Sequence, residues 1–297
     1  SVSAEPLNVV SSFSILGDVA KQIGGDKVAV TNLVGPDQDS HVYNITSGDI
    51  KKIRSAKLVL LNGLGFESGE MTRAVKQSKV NYAEAAAGIK AMTADHDHDH
   101  DHDHKHDHDH GSHAHKHDHD EEEEGPEIDE HVWTSPKKAM EIVKKIAEVA
   151  SEIDAEEKTK INDNTEKYVA EIAQIDKDLH QAIDGKISEI VVADRFPFRY
   201  FADEFGLKYA AAFSGCSEQT EASAKTISFL INKVKQDKIK KVYKIELSNG
   251  KIAETVSKDT GAEVLELHSA HNVTADDFSK GVTYVDLMKR NLAVLSK

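Results

Sequence analysis

The sequence predicts an α/β fold in which two βα lobes with mainly parallel sheets are joined by a long, rigid spanning helix. Three observations lead there. Short apolar runs alternate with helical stretches on both sides of the chain's middle. Between them, residues 155–184 carry one continuous apolar face at helical spacing. At 297 residues and 39% hydrophobic content, the chain is longer than one typical domain and apolar enough to fill two cores.

In order, LNVVSSF (7–13) reads as a strand, SILGDVAKQIG (14–24) as a helix, and VAVTNLV (28–34) as a strand. TSGDIKKIRSA (46–56) is a helix and KLVLLNG (57–63) a strand, with Ser14 and Thr46 as expected helix caps. Strands linked by helices of this length form βαβ units on a parallel sheet. The alternation stops at 95–124, where Asp and His alternate and then give way to HAHKHDHDEEEE, with nothing apolar larger than alanine. Such a segment cannot build a core and is expected to be disordered without metal.

Pro136 opens a helix to about Glu152, and Asp154 with Glu157 offers a capping box for the next one. There Ile161, Tyr168, Ile172, Ile175, Leu179 and Ile183 step by three, four or seven. Unbroken from 155 to 184, this helix would span about 45 Å at 1.5 Å per residue, enough to traverse both lobes. After Gly185 come strands at 187–193, 207–213, 241–247 and 262–268, interleaved with helices through PFRYFADEFG and over 221–236 and 249–260, then a terminal helix from about 281. The expected organisation is a first lobe at 1–135, helices including the spine at 136–184, and a second lobe at 185–297, with a ligand between the lobes near the strand carboxyl ends.

The charge of −15, from 52 acidic and 37 basic residues, argues against nucleic acid as a partner and favours cations. One cysteine, Cys216, allows no disulfide framework and leaves the compartment undecided. No apolar run approaches the roughly 18 residues of a membrane span. Ser1 to Pro6 lacks a charged segment followed by an apolar stretch, so an exported form would already have lost its signal.

Of 17 histidines, five lie outside the Asp/His tract: His41, His131, His180, His268 and His271. The other twelve, His96 to His119, offer many equivalent imidazole sets for zinc, copper or nickel, which suits a weak collector of several ions. The run is internal and interleaved with Asp, unlike a terminal purification tag. A tight site should lie elsewhere. His180, among charged neighbours on the spine, reads as a solvated helix position. His41 follows GPDQDS just beyond a strand, and His131 follows IDE before a helix-opening Pro136, so both sit in loops able to converge on a ligand.

GPDQDSHVYNITSGDIKKI, LNGLGFE, DEHVWTSPKKA and FRYFADEFGLKYAA, in that order, resemble successive landmarks of the cluster A-I metal-binding proteins of bacterial ABC importers, and best its zinc-specific, ZnuA/AdcA-like branch. The likeness covers essentially the whole chain, including the place of the histidine-rich loop. It implies two lobes on a rigid helix, one metal in the cleft between them, and His41 and His131 as first-lobe ligands. The second lobe departs from the pattern. Arg195 in RFPFRYF stands where the family usually has a histidine, and an arginine, always protonated, cannot ligate. His268 stands where the family has an aspartate after a strand resembling VLVLD. Cys216 falls in a loop near the expected cleft, either as a small buried apolar residue or as a thiolate replacing the missing histidine. His41, His131, Cys216 and His268 would then make a tetrahedral nitrogen and sulfur set. Asp194 and Glu246 could ligate, but pairing with Arg195 is the preferred reading, and His271 is a substitute or supporting residue.

The function implied is capture of Zn²⁺ as transported cargo, outside the cytoplasm, for delivery to a membrane ABC permease. The protein would be periplasmic or lipid-anchored, monomeric, and catalyse nothing. A zinc hydrolase lacks any HExxH helix, nucleophile elbow or phosphate loop to support it. A surface adhesin or metal store built on the His tract is the alternative.

Overall fold

The computed structural model describes residues 5–93, 127–215 and 221–297; the Asp/His tract and Cys216 lie outside the described residues. The first lobe builds a four-stranded parallel sheet from β1 (Leu7–Ser11), β2 (Val28–Asn32), β3 (Leu58–Leu61) and β4 (Tyr82–Glu84), in the order β2-β1-β3-β4. Helices α1 (Ser14–Gly24), α2 (Ser47–Ser55) and α3 (Gly69–Ser78) make the crossovers. Thr46 caps α2 as expected, in a reciprocal box with Asp49. Ser14 does not cap α1: it is that helix's first residue, and the cap position falls to Phe13, whose ring packs on Phe66 and Trp133. A short antiparallel pair, β5 (Met92–Thr93) and β6 (Ile128–Asp129), closes the lobe.

Next come α4 (Pro136–Ile153) and the spine α5 (Lys158–Ile183). The spine is shorter than expected, 26 residues or about 39 Å, because 155–157 wind as a 3₁₀ turn. The Asp154 side chain makes no capping bond, so the expected box is not formed. Its apolar stripe is as read: Ile161, Tyr168, Ile172, Ile175, Leu179 and Ile183 are all buried.

The second lobe repeats the first lobe's strand order. Strands β7 (Glu189–Val192), β8 (Lys208–Ala211), β9 (Lys241–Lys244) and β10 (Glu263–Glu266) form a parallel sheet ordered β10-β9-β7-β8. Each lobe therefore places its second strand outside its first and its third and fourth on the other side, with a crevice at the switch between first and third. Around this sheet lie α6 (Arg199–Glu204), α7 (Ala224–Gln236), α8 (Lys251–Thr260), α9 (Ala275–Ser279) and α10 (Tyr284–Leu295).

One apolar core runs unbroken from Val9 and Leu58 in the first lobe, through Ile172 and Leu179 of the spine, to Ile190, Tyr243 and Leu287 in the second. Polar links cross the same boundary. Asp18 of α1, half-buried, accepts from Tyr168 Oη of the spine and from the Tyr284 amide of α10. Separating the lobes would expose this core and strand those groups.

Candidate metal centre

Three imidazoles from three segments meet at the carboxyl ends of the two sheets. His41 lies in a 3₁₀ turn, Ser40–Val42, beyond β2; Asp39 begins the turn and accepts from the His41 amide at 2.9 Å. His131 follows β6, and His271 follows β10. Their ligating nitrogens lie within 4.8 Å of one another, and the His41 and His131 Nε2 atoms are 3.2 Å apart. Tetrahedral zinc with bonds of about 2.0–2.1 Å sets its donors roughly 3.3 Å apart.

His131 is oriented from behind. Asp129 accepts its backbone amide at 2.8 Å and faces its Nδ1 at 2.9 Å, which places the proton on Nδ1 and turns the Nε2 lone pair to the cleft. Burial works against the Asp129 charge, but the His131 ring and its two hydrogen bonds outweigh it and hold the carboxyl below its usual range. Asp129 is itself fixed through its carbonyl, which accepts from Tyr200 Oη at 2.6 Å.

All three positions are water-poor. His131 and His271 are 1% and 4% exposed, and the His41 side chain 17%. Burial, and then the neighbouring His131, lower the His41 pKa to about 4, partly offset by Asp39. Burial, followed by His41 and His131, drives His271 well below its ordinary value. Both rings are therefore neutral donors at neutral pH. His271 Nε2 is buried without a hydrogen-bond partner, a loss of about 1–3 kcal/mol that a bound cation would relieve. Glu130 adds an oxygen: its Oε1 stands 3.6 Å from both His41 Nδ1 and His131 Nε2.

The lobes are tied together beside these rings. Trp133 Nε1 donates to the Ser269 carbonyl at 2.8 Å, the Asp37 amide to the Val273 carbonyl at 2.8 Å, and the Ser40 amide to Asn272 Oδ1 at 3.3 Å.

The structure brings together His41 and His131 as expected but not His268, and this corrects the sequence reading. His268 helps to make a turn, and although its Nε2 is also buried without a hydrogen-bond partner, it is not among the imidazoles that converge on His41 and His131. Asn291 holds its amide and carbonyl, its Nδ1 accepts from the Ala270 amide at 2.8 Å, and its ring faces Thr134, Phe198, Phe201 and Met288. Ala270, at φ 58°, reverses the chain and delivers His271 to the cleft instead. The expected pairing of Asp194 or Glu246 with Arg195 is also not seen. Asp194 accepts from the Arg195 and Ile245 amides, and Glu246 from Ser269, while the Arg195 guanidinium reaches Asp39 of the other lobe at 3.5 Å. His180 is not simply solvated: carboxylates surround it. The sequence shows Asp129 and Glu130 only as the acidic run before His131, and nothing in it assigns either a role at the site.

A paired βα fold on a spanning helix, with imidazoles converging between the lobes, defines the metal-binding solute-binding proteins of ABC transporters. The chain belongs to the family of the periplasmic zinc-uptake complex component A, ZnuA, which it matches over residues 9–297. It is 28% identical to the high-affinity zinc uptake system protein ZnuA of Bacillus subtilis, over 98% of this chain and 87% of that protein. It is 27% identical to the zinc-binding lipoprotein AdcA of Streptococcus pneumoniae, spanning 55% of that longer protein. It is also 25% identical to the manganese ABC transporter substrate-binding lipoprotein PsaA of Streptococcus pneumoniae, over 99% of this chain and 89% of that one. Among solved structures, the metal-dependent lipoprotein YcdH of Bacillus subtilis superposes with a TM-score of 0.78 at 26% identity, each chain covered to 98%. No helix among the described residues is long and apolar enough to cross a membrane.

Proposed function

We propose that this chain captures Zn²⁺ outside the cytoplasm in its interlobe cleft, through His41, His131 and His271 with Glu130 as the fourth donor, and hands it to an ABC permease. The observation that carries the reading is the convergence of three imidazole donors, two held neutral by burial, within 4.8 Å. A nitrogen-rich, compact set suits zinc, whereas manganese favours oxygen-rich octahedral surroundings. Neither Cys216 nor His268 is required to complete four donors.

Competition with a high-affinity zinc chelator tests this on the full chain, because a weak tract cannot compete and only the tight ion is read. His271→Ala should weaken zinc by more than about 100-fold, a larger effect than loss of an outer-shell partner. His268→Ala should change it less than about threefold, consistent with a ring turned away from the donors. The reverse ranking would overturn the ligand set, and manganese bound more tightly than zinc would overturn the cargo.

A further inference from the structure

A second convergence of side chains able to ligate a metal lies where α5 and α6 meet the start of α4. Asp176 and His180 project from one face of the spine α5, four residues apart, and Glu204 comes from the end of α6. His180 Nε2 lies 3.0 Å from Glu204 Oε2 and 3.7 Å from Asp176 Oδ1, and one ligating atom of each residue falls within 4.8 Å of the others. We propose that Asp176, His180 and Glu204 form a second divalent-cation site of the zinc class, distinct from the cleft and independent of the reading given for it.

Four features favour an ion over a simple ion-pair network. The first is charge: Asp176, Glu204 and Asp184 surround a single imidazole, so even a protonated ring leaves a surplus of negative charge, which a divalent cation on a neutral ring offsets. Lys137 opposes that charge with a smaller effect. The second is an orphaned acceptor, since Asp176 Oδ1 is buried without a hydrogen-bond partner. Burial, followed by a side-chain hydrogen bond to Glu204 and then its charge, pushes the Asp176 carboxyl up to about 7, as expected of two acids sharing one pocket.

The third feature is support from outside. Asp184 lies 2.9 Å from His180 Nδ1, the carboxylate-to-imidazole arrangement that directs the other ring nitrogen to a metal, and the Phe205 ring packs on the imidazole at 4.4 Å. The fourth is a divided carboxylate. Glu204 Oε1 accepts from Ser135 Oγ at 2.7 Å and from the Lys137 amide at 2.8 Å, fixing the group against the start of α4 and leaving Oε2 for the ion.

The His180 side chain is 35% exposed, so solvent can complete the coordination sphere. Burial disfavours the protonated ring, but the Asp184 hydrogen bond and the three carboxylates outweigh it and raise its pKa. An ion must displace that proton, which makes this site weaker than the cleft and increasingly competitive as pH rises.

The test is crystallographic and site-resolved. Crystals of the full chain soaked in zinc chloride at pH 8 are measured on both sides of the zinc absorption edge. The expected result is an edge-dependent anomalous peak about 2.0–2.2 Å from His180 Nε2, Asp176 and Glu204. The same data from the Asp176→Asn, His180→Gln chain should lose that peak and keep the one in the cleft, which also serves as the control for folding and for soaking. A filled cleft with no peak at His180 overturns the proposal, as does a peak there that survives the double substitution.

Discussion

At the scale of single residues, the cleft depends on second-layer groups as much as on the donors. Asp129→Asn keeps the shape but removes the charge that holds the proton on His131 Nδ1, and zinc affinity should fall about 10–100-fold by chelator competition. The depressed pKa values set a pH window with a definite sign. A ring titrating at 6.5 would lose metal to protons below that pH, but burial and the neighbouring imidazole hold His41 down at about 4, and burial drives His271 well below its ordinary value. Zinc affinity should therefore change little between pH 7.5 and pH 5; a steep loss centred near 6.5 would show that these rings titrate as exposed histidines do. His41 and His131 were legible in the sequence because they sit in loops beside resembling motifs. His271 was legible only as a substitute, since choosing between it and His268 requires the left-handed turn at Ala270, and a non-glycine residue gives no sign of one.

At the scale of elements, α5 is the member most exposed to a single loss. Leu179 is fully buried in the core shared by both lobes, and Leu179→Ala should cost about 2–5 kcal/mol, read by chemical denaturation. The chain's one tryptophan, Trp133, is buried between the lobes and donates across them, so its fluorescence and the helical circular dichroism should report one coincident transition. The spine could be read from spacing alone because a stripe of six apolar positions has no competing explanation. Its first turn could not: Asp154 and Glu157 have the composition of a capping box, yet a 3₁₀ turn takes those residues. Short pieces such as α3, β4 and α9 carry weak periodicity and gave no signal in the sequence.

At the scale of the molecule, the alternating pattern was enough to predict two parallel sheets, while the identical strand order of the lobes emerges only in three dimensions. The shared core and the Asp18, Trp133 and Tyr284 links oppose hinge motion. Hydrogen exchange should find α5 equally slow with and without zinc, with new protection confined to about residues 36–46, 128–134 and 268–274; wide changes along α5 would contradict a welded frame. With the lobes fixed, His41 is the most open of the three rings, and it rides on a short surface turn secured to the second lobe by Asp37 and Ser40. If that turn opens like a door while the frame stays fixed, the residence time of the ion would be set by the breaking of a few hydrogen bonds, which off-rates measured for Asn272→Ala would report. A permease that competes for those bonds could unload the cargo quickly without weakening the donors that hold it.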